Sequence, residues 1–260
     1  MTNPLRIHLI CGAPTHDTNY VRLELLKLMH EDERAWVTVG DGFSDTKSIS
    51  ESDAIIAYTC NVSPTDREMD ALEAFLSRGG RMFALHATNA LLSFTDGPPI
   101  KVQGIDIPGQ VDTTDTNPRF TGLLGSRFLA HLLLGPVAID VAKPDNAIVS
   151  GLKSFNVVDE PYIVQLIGDC EVLLSARFSG SNPAYVRGEW PEETDHPQMY
   201  VKRHGAGGVL YLTLGHSSGR YDFRPLMEDG PVSRGPWESK EFREVLRRGV
   251  SWASAAATCG

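Results

Sequence analysis

The sequence predicts an α/β fold: a mostly parallel sheet flanked by helices. Three observations predict it. Over the first 86 residues, short apolar runs alternate with stretches whose apolar residues recur at helical spacing. The connections between them are short, as in a sheet covered by crossover helices. The runs also end in glycines or polar residues, and in an open α/β sheet ligands bind beyond the carboxyl ends of the strands.

Leu5 to Cys11 is the first strand, ended by Gly12-Ala13-Pro14. Thr15-His16-Asp17-Thr18 offers capping oxygens to a helix whose apolar stripe is Val21, Leu25, Leu28 and Met29. Trp36 to Val39 forms a second strand. Asp53 to Cys60 forms a third, apolar enough to be buried on both faces. Ser63-Pro64-Thr65-Asp66 predicts a helix start with the proline just inside it. Met69, Leu72, Phe75 and Leu76 give that helix its buried face, and Gly79-Gly80 stops it. Arg81 to Leu85 is then a fourth strand. It delivers His86 to the sheet edge, with the small residues Ala87 and Thr88 behind it.

Residues 93–119 break this rhythm. Gly97-Pro98-Pro99, Gly104 and Pro108-Gly109 mark an irregular insertion, expected to form a cover or rim beside the site. Phe128 to Leu134 is a short apolar piece carrying His131, and Val137 to Val141 is a strand. Asp145 to Leu152 suggests a turn and short helix. A β-like run from Phe155 to Leu166 is interrupted by Asp159-Glu160-Pro161-Tyr162. Val172 to Phe178 and Tyr185 onward continue as strands, while residues 187–197, rich in Glu, Pro and Asp, suggest a surface loop. Gly205-Ala206-Gly207-Gly208 turns into the strand Val209 to Leu214, which ends at Gly215-His216. The last helix carries Phe242, Val245, Leu246 and Val250 on one face. With no repeat and no linker visible, residues 1–260 are expected to form a single domain.

A net charge of −9 argues against a nucleic-acid or anionic-membrane partner, since neutralising phosphates needs a basic patch. The N-terminus shows neither a charged region nor an apolar core of a signal peptide, and no segment reaches the ~18 apolar residues of a membrane span. Cys11, Cys60, Cys170 and Cys259 are scattered, with no CxxC pair. A reduced, cytoplasmic protein without disulfides is the expectation. Homo-oligomerisation stays open.

The candidate chemistry lies at the strand ends. His86 and His216 share one local context: an apolar strand, then His, then small residues. Strands of one parallel sheet end on a common edge, so the two imidazoles are expected to meet. His16, after strand one, can join them, although a helix-start role explains it equally well. Glu160 is a carboxylate for the same rim or an exposed charge. Histidines converging with a carboxylate suit general acid–base work or a divalent metal, but no spacing here is a local metal motif. The Gly205–Gly208 turn lacks the Lys and Ser/Thr of a phosphate loop.

Phe83-Ala84-Leu85-His86-Ala87 after Gly79-Gly80, then Asp159-Glu160-Pro161-Tyr162, then Gly205 through His216, together resemble the trehalose-utilisation (ThuA-like) family. Thr15-His16-Asp17 and the closing Phe242 to Ala253 segment are similar to it as well. The resemblance implies a flavodoxin-like fold related to class I glutamine amidotransferases. His86 would stand where those enzymes carry their cysteine nucleophile, so glutamine hydrolysis through a thioester is not expected. It also implies a carbohydrate substrate: a disaccharide or other glycoside, including oxidised 3-keto glucosides. On that reading His86, His216 and Glu160 supply acid–base or metal-assisted cleavage or isomerisation of the sugar, and would hold the metal if one is present. His16, His131 and Tyr162 bind the sugar or orient the others. Two alternatives are a sugar- or metabolite-binding module without turnover and a partner protein of a sugar oxidoreductase.

Overall fold

The computed structural model describes residues 3–102 and 104–255; Cys259 lies outside them. In chain order the elements begin with β1 (Leu5–Gly12), α1 (Thr18–Met29), β2 (Ala35–Gly40), α2 (Thr46–Glu51), β3 (Ala54–Thr59), α3 (Asp66–Ser77) and β4 (Arg81–Leu85). A one-turn 3-10 helix, His86–Asn89, follows directly. Next come the short strands β5 (Ser93–Phe94), β6 (Ile100–Val102), β7 (Ile105–Ile107) and β8 (Val111–Asp112), then α4 (Pro118–Leu124). The remainder is β9 (Ser126–His131), β10 (Gly135–Val141), β11 (Phe155–Asp159), β12 (Tyr162–Leu166), β13 (Cys170–Ser181), β14 (Glu189–His204), β15 (Gly207–Leu212) and α5 (Lys240–Ser254).

Nine strands form one sheet in the order β11-β10-β13-β14-β15-β4-β3-β1-β2. The half running β15-β4-β3-β1-β2 is parallel, the arrangement of a flavodoxin-like sheet. The other half is an antiparallel wing built on β15, so the sheet as a whole is mixed. All six residues of β3 are buried, and the two-residue period of a strand sorts them. Ala54, Ile56 and Tyr58 face the core shared with α1 and α5, whereas Ile55 and Ala57 face α2, α3 and α4.

Capping chemistry sets the helix starts. Asp17 accepts the Tyr20 N–H at 3.1 Å and opens α1; Ser239 accepts the Phe242 N–H at 3.3 Å and opens α5. The start of α3 differs from the expectation. Thr65 is its cap, with Glu68 reaching back to the Thr65 N–H at 2.7 Å, so Pro64 precedes the cap rather than entering the first turn. No helix among the described residues is long and apolar enough to cross a membrane.

Three other segments depart from expectation. Residues 187–197 are largely strand: β14 begins at Glu189 and pairs with β13 through Phe178↔Thr194 and Ala176↔His196. The Phe178 ring stacks on His196 at 4.1 Å between centroids. Its polarity reflects solvent on an extended hairpin rather than the lack of a partner. Residues 145–151 form successive turns without a helix, because the Asn146 side chain accepts the Ile148 N–H at 3.0 Å and so competes with helical bonding. The 93–119 insertion is less irregular than expected, since β6 and β7 pair with each other and β5 pairs with β8.

Candidate functional site

Strands β4 and β15 are parallel neighbours, with Leu212 opposite Leu85, so the residues that follow them leave the sheet side by side. His86 is the first residue past β4, and its φ of +49° lies in the left-handed region, uncommon outside glycine. Gly215 makes room for it: a Cβ there would stand 3.3 Å from the His86 Cβ, and its own φ is +138°. The His86 ring is buried, stacked on Tyr58 with 14° between planes. Its Nδ1 donates to the Thr213 carbonyl at 2.9 Å, and its backbone carbonyl accepts the Tyr211 hydroxyl.

The turn after β1 brings in His16. Its Nδ1 donates to the Pro14 carbonyl at 3.0 Å, and its Nε2 comes to 3.1 Å from the His86 Nε2. The ring centroids of His16, His86 and His216 are 5.0–6.0 Å apart. The turn between β11 and β12 inserts Glu160 among them. One carboxylate oxygen lies 3.3 Å from the His216 Nδ1; the other lies 3.7 Å from both the His86 Nε2 and the His131 Nε2. β9 and β12 pair so that His131 and Tyr162 are opposite each other, and their rings stack with 13° between planes. The Tyr162 hydroxyl lies 3.3 Å from the His86 Nε2.

All six residues that the sequence suggested, His16, His86, His131, Glu160, Tyr162 and His216, are therefore brought to one place. Asp159 is the group that sequence reasoning missed. Fully buried, it accepts the Gly215 N–H at 2.7 Å and the His216 N–H at 3.1 Å, clamping the loop that presents His216. Its only signal was its place beside Glu160. Trp237 was also missed; its indole N–H donates to the Gly215 carbonyl at 2.9 Å, as does the Tyr58 hydroxyl at 3.0 Å.

The charges follow from burial and proximity. Burial, aided by the neighbouring His216, pushes the His16 pKa down to about 4. His86 is held well below the ordinary imidazole value, first by burial and then by His16. Burial also opposes the Glu160 charge, but His131 and His216 more than offset it, and its carboxyl sits well below the usual range. His216 is disfavoured as a cation by burial, yet the Glu160 charge outweighs this and raises its pKa. Burial pushes Asp159 up to about 7 and Cys60 up to about 12, so the Cys60 thiol on the cavity wall is not a nucleophile at neutral pH.

These groups form the floor of a cavity of about 400 Å³, within the range of small-molecule sites. His16, His131, Glu160, Tyr162 and His216 line it; His86 stands behind them. The mouth is apolar. Phe94, Val102, Ile105 and Ile107 of the 93–119 insertion contribute, as do Phe223, Leu226 and Val232 from the stretch before α5. Among the described residues, His16, His86, His216 and Glu160 each offer one ligand atom, all within 4.8 Å of one another, and could hold a metal. The arrangement can keep a carboxylate ionised, hold a protonated imidazole beside it and present both to a molecule with one polar and one apolar end.

Comparison with known proteins points the same way. The family model described as ThuA, trehalose utilisation, matches residues 107–253, more than half of the chain. A ThuA-like protein of Bacteroides uniformis has a similar solved structure, with 20% identity over 97% of this chain and 93% of that one, and a TM-score of 0.65. A ThuA-like protein of Parabacteroides merdae follows at 17% identity, 97% and 90% coverage, and a TM-score of 0.59. A Thermoplasma acidophilum protein described as part of a GMP synthase is similar at 10% identity, 99% and 98% coverage, and a TM-score of 0.51. At such identities the likeness shows the fold alone. None of the curated proteins is a match to the chain.

Proposed function

This chain belongs to the trehalose-utilisation (ThuA) family, and on that premise we propose that it is an enzyme of carbohydrate catabolism that cleaves a 3-keto glycoside by elimination. The observation that carries the proposal is the Glu160–His216 pair, 3.3 Å apart at the floor of a cavity of small-molecule size.

A ketone at C3 acidifies the proton on C2. Glu160, ionised because imidazoles surround it, takes that proton, and the electron pair of the broken C2–H bond forms an enolate on O3. The Tyr162 hydroxyl, whose pKa burial raises well above the usual phenol value, stays protonated and donates to the enolate oxygen. The enolate then collapses: C3=O re-forms, C1=C2 forms, and the C1–O bond breaks. His216, protonated beside Glu160, gives its proton to the departing oxygen. His131 and His16 complete the polar wall around the sugar. The products are the free aglycone or second sugar and an unsaturated keto sugar. The free buried thiols of Cys11 and Cys60 support a reduced, cytoplasmic setting.

The test supplies purified protein with glycosides and their 3-keto forms, and follows aglycone release and the ultraviolet absorbance of the conjugated product. Turnover of the keto form alone, slowed by deuterium at C2, is the expected result. Glu160→Gln should lower the rate by about 10²–10⁴-fold, the usual contribution of a positioned acid or base. Binding of the keto sugar with no turnover would reject the reading in favour of a passive binding module.

A further inference from the structure

The contact between His16 and His86 poses a chemical problem. Each Nδ1 faces a backbone carbonyl, at 3.0 Å and 2.9 Å, and a carbonyl can only accept. Both Nδ1 atoms therefore carry hydrogen, and in the neutral rings both Nε2 atoms carry lone pairs. Those lone pairs meet at 3.1 Å in a buried setting at the edge of the cavity. Two acceptors do not attract each other at that distance; a cation shared between them removes the conflict. Glu160 brings a negative carboxylate to the same point, 3.7 Å from the His86 Nε2 and 3.3 Å from the His216 Nδ1.

We propose that the His16 Nε2, His86 Nε2, His216 Nδ1 and a Glu160 carboxylate oxygen form a site for one divalent transition-metal ion of the zinc class. The spacing suits it. Zn–N bonds of about 2.0–2.1 Å place two ligands of a tetrahedral site about 3.3 Å apart. The observed separations include 3.1 and 3.3 Å, and all four ligand atoms lie within 4.8 Å of one another. Ring N–H groups fixed on backbone carbonyls are the usual outer support of metal-bound histidine, setting tautomer and ring orientation. Three imidazoles against one carboxylate favour a zinc-class ion over magnesium or calcium, which take oxygen ligands.

The location gives the ion its role, and this part rests on the elimination reading above, with one change. His216 is then a neutral ligand, and the Glu160 oxygen not bound to the ion takes the C2 proton and returns it to the departing oxygen. His86 lies behind the cavity wall while His16, His216 and Glu160 line it. One side of the ion is thus sealed by protein, and the other faces the cavity, where it would polarise a carbonyl oxygen of the substrate.

The experiment uses tag-free full-length protein. Metal content is measured as purified; the protein is then stripped with chelator and titrated with Co²⁺. One ion per chain is expected, with the intense visible bands of four-coordinate cobalt. Those bands should vanish in His16→Ala and in Glu160→Gln, both checked for native circular dichroism, and persist in His8→Gln, whose imidazole is remote from the cluster. Folded wild-type protein that binds no Co²⁺ would overturn the proposal and leave a shared proton as the cation between the two rings. Bands unchanged in both cluster variants would overturn it as well. Metal binding without turnover of keto glycosides would reject the reaction and keep the site. Undiminished turnover in metal-free protein would reject the ion's role in the reaction.

Discussion

His8 shows what a buried imidazole does when burial outweighs the pull of a carboxylate, here Asp45. It sits fully buried in β1, with its Nδ1 at 2.8 Å from the Thr38 hydroxyl and no partner for its Nε2 among the described residues. Burial holds its pKa below the ordinary value. A histidine that is harder to protonate when folded makes unfolding take up a proton. Its stabilising effect is complete above about pH 6.5 and is lost as the pH falls toward the lower folded value. The stability advantage of wild-type protein over His8→Gln, measured by urea unfolding, should therefore be larger at pH 8 than at pH 5. A gap that stays constant or widens on acidification would contradict this. The same comparison explains which site residues could be found from sequence. His86 and His216 were legible because each breaks an apolar strand at its carboxyl end. Asp159 was not, because an acidic residue at the end of a strand carries no sign that it will be buried and clamp two backbone N–H groups.

At the scale of elements, α5 approaches β4 unusually closely at one point. A Cβ on Gly249 would stand 2.3 Å from the ring of Phe83, which is itself fully buried. Gly249→Ala should push the helix from the sheet and cost about 1–3 kcal/mol, as other overpacked cores do. Thermal melts of Gly249→Ala, Phe83→Leu and the double variant check the cause: the double variant should lose less than the two singles added together. Strictly additive losses would place the strain elsewhere. This helix was readable because Phe242, Val245, Leu246 and Val250 keep a helical period, and β3 because its apolar run is unbroken. The β13–β14 hairpin was only half readable. Its polar tip pairs locally, with Ser181 opposite Glu189, but the alternation that would mark it as strand is blurred where both faces meet water.

For the whole molecule, the parallel half followed from local patterns, whereas the antiparallel wing did not, because joining it through β14 to β15 is a long-range choice. That junction has a thermodynamic consequence. The floor of the cavity takes His16 from the turn after β1, His131 from β9, Glu160 from the β11–β12 turn and His216 from the loop after β15, with His86 behind it from the residue after β4, so no short piece of the chain contains the site. A ligand that needs all of these groups recognises only the completed fold, and mass action then converts its concentration into stability. At a free concentration 100 times its dissociation constant, such a ligand adds about 2.7 kcal/mol. For a chain of this size each kcal/mol is worth about 2–4 °C of melting temperature. Titrating Co²⁺ into chelator-stripped protein should raise the melting temperature by about 5–10 °C at that ratio, continue upward with the logarithm of concentration, and reverse on adding chelator. A melting temperature indifferent to the ion would mean that it finds the same ligands in the unfolded chain or none in the folded one. An ion that fills this centre would thus tie the protein's heat resistance to its supply.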